Sequence, residues 1–135
     1  MTNCLFCKIA RNEIPSTRVY EDDKLFVMMD IFPESKGHLL IIPKAHADNL
    51  LTLDDATLAY VNTIAKKIAA AAQQALRADG IKIVQFNGEA AGQTVFHYHM
   101  HVVPAYTGVA FKRHAGEPAD VQVLEQLAEQ IKAAL

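Results

Sequence analysis

The chain has no surplus of positive charge with which to hold a polynucleotide. Its 13 Lys and Arg are outweighed by 15 Asp and Glu, and no dense basic block makes a local exception. Nucleic acid is therefore not an expected partner. No apolar run is long enough to span a bilayer, and Met1 to Lys8 lacks the basic and then apolar order of a secretion leader. The expectation is a cytoplasmic protein with no membrane partner. Internal repeats, low-complexity tracts and dividing linkers are also missing, so residues 1–135 read as a single domain. Half of the residues are hydrophobic, enough to bury a core without disulfides.

Against these absences stands one concentration. His97, Tyr98, His99, Met100, His101, Val102, Val103 and Pro104 put half of the six histidines into five residues, alternating with apolar side chains. On a strand, where side chains switch faces at each residue, three imidazoles would share one face with Val95 and Val103. Phe96, Tyr98, Met100 and Val102 would form a core wall on the other. Any one histidine is more readily a hydrogen-bonded residue at a core edge. Three in register argue for function, because adjacent imidazoles repel once one is protonated.

The rest of the pattern predicts a mainly antiparallel sheet. Strand candidates are Arg18 to Tyr20, Lys24 to Asp30, Gly37 to Pro43, Ile81 to Asn87 and Thr94 to Val103, with Glu21, Asp22 and Asp23 as a hairpin turn. Leu58, Val61, Ile64, Ala65, Ile68, Ala72 and Leu76 recur at helical spacing and predict a long helix over Leu53 to Arg77. Thr52 with Asp55 resembles a capping box, and Gly80 is placed to close the far end. A second helix is expected over Asp120 to Ala134, after Pro118. Ala105 to Glu117 reads as a mobile loop.

A row of imidazoles suits phosphoryl chemistry. A neutral imidazole nitrogen is nucleophilic at neutral pH without a separate base, since its ordinary pKa is about 6.5. Its neighbours can donate hydrogen bonds to phosphate oxygens. His99, in the middle, is the natural nucleophile. Three histidines could instead hold a catalytic zinc with an open position for water, and spacing alone leaves that alternative standing. Ahead of the row, Asn87, Gly88, Glu89, Gly92, Gln93 and Thr94 offer backbone N–H groups, an amide and a hydroxyl to an anion.

From Gly92 to Val103 the chain resembles the signature of the histidine triad (HIT) family of nucleotide hydrolases and transferases, and is most similar to small bacterial members near the nucleoside phosphoramidase branch. Asp30, Ile31, Phe32 and Pro33, and then Gly37 to His46, match in separate blocks. The resemblance implies an α+β, HIT-like fold, a five-stranded antiparallel sheet with one long central helix and a C-terminal helix. It implies that His99 attacks the α-phosphate of a purine nucleotide conjugate and that His101 contacts the phosphate oxygens. Thr94 would donate its hydroxyl to the phosphate or leaving group, and Gly92, Gln93 and Asn87 would help hold the phosphate. Asp30 would take the ribose hydroxyls, Ile31 and Phe32 would form the base slot, and His38 would support the triad from behind. A homodimer is implied too, and the alanine-rich stretch Ala69 to Ala72 is compatible with a second helix packing close. Phosphoramidates are the first substrate expectation, with dinucleoside polyphosphates as the alternative. A nucleotide-binding regulatory module with incidental catalysis belongs to a different class.

Cys4 and Cys7 form a second constellation. A Cys-x-x-Cys pair is half of a zinc site, a redox couple or two incidental thiols, and Leu5 and Phe6 between the thiols do little to stabilise a thiolate. The family resemblance implies a structural zinc completed by His46 and His97. Two thiolates and two imidazoles close a tetrahedral site with no position left for catalysis.

Overall fold

The computed structural model describes residues 3–114 and 116–135. Five strands form one antiparallel sheet: β1 (Arg18–Glu21), β2 (Leu25–Met29), β3 (Leu39–Pro43), β4 (Gly80–Val84) and β5 (Met100–Ala105), in the spatial order β1-β2-β3-β5-β4. With helices α1 (Leu5–Ala10), α2 (Asp55–Leu76) and α3 (Val121–Ala133), this is the α+β arrangement expected.

Every residue of β2 and β3 is buried, because both faces of the central sheet are covered. Leu25, Val27, Met29, Leu39 and Ile41 join Met100 and Val102 against Val61, Ile64, Ile68 and Leu76 of α2. Leu124, Ala128 and Ile131 of α3 complete that core. The residues between them, Phe26, Met28, Leu40 and Ile42, point the other way and pack under Phe6 and Ile9 of α1. Each fully buried side chain of this size contributes about 1.5–3 kcal/mol, so the two cores fix the register of β3 against β5. That register pairs Leu40 with His101 and so puts His101 on the α1 side.

Several local expectations are corrected. The N-terminus of α2 is capped by Asp54, whose carboxylate accepts the Thr57 N–H at 2.9 Å. Thr52 instead donates its hydroxyl to the Asn49 carbonyl at 3.3 Å, inside the preceding turn. Arg77, in the left-handed region at φ 56°, ends the helix, and Gly80 already belongs to β4. Helix α1 was not foreseen; its six residues are too few for a clear period. The strand carrying the histidines starts only at Met100, so His101 alone lies within it. His97 to His99 form its approach, held where the Tyr98 N–H donates to the Ala47 carbonyl at 2.8 Å. Tyr98, Met100 and Val102 enter the core as expected, but Phe96 is 43% exposed, so the apolar wall begins one step later.

The segment after β5 does not stand free. Tyr106 Oη donates to the Lys36 carbonyl at 2.8 Å, and the Thr107 N–H donates to Asp79 at 2.8 Å. The Lys112 N–H donates to the Glu34 carbonyl at 2.7 Å, and the Ala119 N–H to that of Ile31 at 2.8 Å. Ala115, inside the expected loop, lies outside the described residues. Among the described residues no helix is long and apolar enough to cross a membrane.

Candidate active site and metal centre

The α1 side of the sheet holds a cavity of about 590 Å³. Asp30, Ile31, Phe32, Gly92, Gln93, Thr94, His99 and His101 all line it, so most of the residues singled out from the sequence converge there. Its apolar wall includes Phe6, Ile9, Met28, Leu40 and Phe86, to none of which the sequence reading assigns a role in the site. Phe6 packs edge-on against His99 with ring centroids 4.9 Å apart, so α1 braces the central histidine.

Each imidazole has its proton assigned by its partner. His99 Nδ1 lies 2.7 Å from the His97 carbonyl, which can only accept, so the proton is on Nδ1 and the lone pair on Nε2. Burial, the largest influence, lowers the pKa of His99 and favours the neutral, nucleophilic form. His38, fully buried, accepts the Glu34 N–H on Nδ1 at 3.0 Å. Its own proton therefore sits on Nε2, 2.9 Å from His101 Nδ1, and the proton of His101 is left on Nε2. Burial, reinforced by the charge each would present to its neighbours, pushes both down to about 3. The chain from Glu34 N–H through His38 to His101 thus aligns neutral donors head to tail.

Asp30 lines the cavity as its buried carboxylate. It is buried, its Oδ1 accepts the Phe32 N–H at 2.8 Å, and its Oδ2 lies 3.4 Å from His38 Nε2. Burial raises the Asp30 pKa despite these donors. His114, a lone histidine outside any motif, places Nε2 2.5 Å from the same Oδ2. Asp30, His38, His101 and His114 lie close enough to suggest a cation site. Proton assignment argues against it, because the Glu34 N–H holds one nitrogen of His38 and the bond to His101 uses the proton on the other.

The turn before the histidines is built differently from the sequence expectation. Gln93 is buried, and its amide donates to the carbonyls of Asp48 at 2.6 Å and Val95 at 3.0 Å while accepting the Gly88 N–H at 2.7 Å. Its side chain shapes the turn. The Asn87 carboxamide is likewise committed, to Gln85 and to the Leu50 N–H at 2.8 Å, and Asn87 does not line the cavity. Gly92 adopts φ +103°, a conformation that favours glycine, and leads directly to the exposed Thr94.

Cys4, Cys7, His46 and His97 form a separate cluster. His97 Nε2 donates to the Pro43 carbonyl at 2.7 Å, and His46 Nε2 lies 3.1 Å from the Asp48 carboxylate. Each Nδ1 is therefore bare, and the two face one another at 3.2 Å. Cys4 Sγ is 3.2 Å from His97 Nδ1, and Cys7 Sγ is 3.5 Å from both imidazoles. Two opposed lone pairs and two sulfurs at these separations match the edges of a tetrahedron around a zinc-sized ion, about 3.3–3.8 Å for ordinary Zn–N and Zn–S lengths. Asp48 supplies the outer carboxylate such a site favours. Burial and the adjacent Cys4 raise the Cys7 thiol, as expected where two thiolates would face each other without a cation. His97 turns its lone pair toward the cysteines, so the three triad histidines do not converge on one cation.

The family model for the HIT domain matches residues 11–108. The protein named Protein hit from Bacillus subtilis is 41% identical over 127 residues, covering 89% of this chain and 88% of its own. A Hit-like protein involved in cell-cycle regulation from Bartonella henselae, solved with an unknown ligand, superimposes with a TM-score of 0.93 at 44% identity, covering 100% of this chain and 98% of that one. A Zn-bound histidine triad family protein from Mycobacterium smegmatis gives a TM-score of 0.85 at 36% identity over 98% of this chain and 93% of its own. In sequence and in fold, the chain belongs to the HIT family.

Proposed function

We propose that the protein hydrolyses nucleoside 5′-phosphoramidates of the purine, AMP type, through a nucleotidyl-histidine intermediate on His99. The observation that supports this most directly is the bond from His99 Nδ1–H to the His97 carbonyl, which leaves a neutral Nε2 lone pair on a residue lining the cavity. In this reading Nε2 attacks the α-phosphorus as the P–N bond breaks, and the leaving amine departs with a proton from Thr94 or solvent. Water then adds to phosphorus, its proton returning to Thr94 or solvent, which releases AMP and restores neutral His99. His101, its proton kept on Nε2 by His38, donates to the phosphate oxygens. Asp30 takes the ribose hydroxyls, and Ile31 and Phe32 border the base. Gln93 and Asn87 act by fixing the turn that presents Gly92 and Thr94, since their amides are already bonded within it.

Cys4, Cys7, His46 and His97 would hold a structural zinc, which supplies rigidity to the α1 arm rather than a Lewis acid for the reaction. Among the described residues the outer edge of β4 has no strand partner, and this edge, with Ile83 46% exposed, supports a homodimer joined sheet to sheet. A reduced Cys pair devoted to metal fits a cytoplasmic setting.

The test is release of AMP from an adenosine phosphoramidate and, in parallel, from a diadenosine polyphosphate, by wild type and His99→Ala. Preference for the phosphoramidate, lost in the variant, is the expected result. Preference for the polyphosphate would move the substrate while keeping the mechanism. Nucleotide binding with no His99-dependent release would favour a regulatory module.

A further inference from the structure

His114 sits where an incoming nucleoside would need Asp30. Its Nε2 is 2.5 Å from Asp30 Oδ2, while Oδ1 already accepts the Phe32 N–H. Both carboxylate oxygens therefore have a donor before any ligand arrives. The imidazole is packed among the cavity residues, with ring centroids 5.4 Å from His38, 5.5 Å from His101 and 6.4 Å from Phe32. Its side chain is 38% exposed, against 0% for His38, 8% for His101 and 4% for Asp30. The backbone that brings it is fastened on both sides to the Asp30 loop itself, by Lys112 N–H to the Glu34 carbonyl and Ala119 N–H to the Ile31 carbonyl. A side chain tethered this way can swing out without unfolding its segment.

We propose that His114 is a latch on the nucleoside end of the cavity, competing with the ribose hydroxyls for Asp30, so that substrate enters by displacing it. This rests on the reading of Asp30 as the ribose carboxylate. A site blocked in most molecules binds with an apparent affinity reduced by its open fraction, so removing the latch should strengthen binding.

The experiment is calorimetric titration with AMP of wild type, His114→Ala, Asp30→Asn and the double variant, with phosphoramidate kinetics on the first two. His114→Ala is expected to lower the AMP dissociation constant and KM by about tenfold, the size of one charge-assisted hydrogen bond, with kcat within about twofold. In the Asp30→Asn background the same change should give little further gain, because the bond it releases is already weakened. His114→Gln, which keeps a donor, should fall between Ala and wild type, and unchanged thermal unfolding would show that the fold is not the cause. Weaker or unchanged AMP binding in His114→Ala, beside a wild type that binds AMP, overturns the latch alone. No AMP binding by any variant and no His99-dependent turnover would remove the proposed function, and the latch with it.

Discussion

Acidification from pH 7.5 to 5.0 should destabilise the fold by about 4 kcal/mol through His38 and His101. Both are buried, they lie 2.9 Å apart, and both are pushed from 6.5 down to about 3. In the unfolded chain each regains a pKa near 6.5 and binds a proton as the pH falls, while the native pair stays neutral. The unfolded state then holds more protons, so stability is full above the unfolded pKa and declines as pH drops toward the folded one. At pH 5.0 the gap from 6.5 is about 1.5 units, and at about 1.4 kcal/mol per unit each histidine costs about 2 kcal/mol. The result is insensitive to the folded value as long as it stays well below 5. His97 and His99, also lowered by burial, push the same way. Asp30, raised by burial, opposes them, because the native state gains on the unfolded one in proton uptake at that carboxylate. Urea unfolding at the two pH values, with excess chelator in both so that acid release of metal is not counted, measures the difference. A loss under about 1 kcal/mol would mean that the native pair accepts a proton readily. The head-to-tail donor chain through His38 would then be wrong.

Other perturbations reach different parts of the structure. Gly37 precedes His38 at φ +92°, and a Cβ there would stand 2.3 Å from Leu76 Cδ1. Gly37→Ala should cost about 2 kcal/mol from backbone strain and repacking, read as a lower urea midpoint at unchanged slope. If zinc is held by Cys4, Cys7, His46 and His97, chelation should lower the thermal midpoint by the equivalent of about 4 kcal/mol at a thousandfold excess of metal over its dissociation constant. Turnover measured immediately after chelation should persist and then decay with unfolding; instant loss would point to a catalytic metal. Replacing Asp54 by Ala should cost about 1 kcal/mol, because the Thr57 N–H loses its cap, with equilibrium unfolding as the check.

The large elements were legible because their signals are periodic and local. The α2 stripe from Leu58 to Leu76 and the apolar runs of β2 and β3 are each strong enough to survive tertiary context. Sequence pattern does not decide the caps of α2, because several nearby residues can serve and the backbone chooses among them: Asp54 over Thr52, and Arg77 over Gly80. Helix α1 went unseen because a single turn and a half has no period, yet it carries Cys7 as a prospective ligand and Phe6 as the brace on His99. His114 was invisible for a different reason. It is a lone histidine in an irregular segment, 84 residues from Asp30.

Alternation of His97, His99 and His101 predicts three imidazoles on one face, and the fold gives each a different hydrogen-bond partner. What separates them is the acceptor or donor each meets, and those partners come from elsewhere in the chain. The Pro43 carbonyl at the end of β3 accepts a hydrogen bond from Nε2–H of His97 and turns its Nδ1 toward the cysteines. The His97 carbonyl accepts from Nδ1–H of His99 and leaves the opposite nitrogen free. The Glu34 N–H, acting through His38, leaves His101 a donor at Nε2. In the proposed function one imidazole would be a metal ligand, one the nucleophile and one the oxyanion donor, with the same side chain in all three. Because two of the three assignments rest on backbone groups rather than on replaceable side chains, substituting neighbours such as Thr94 should change rate without exchanging these roles. The roles would change if β3 slipped by one residue against β5, since that would move the Pro43 carbonyl away from His97 and Leu40 away from His101 together.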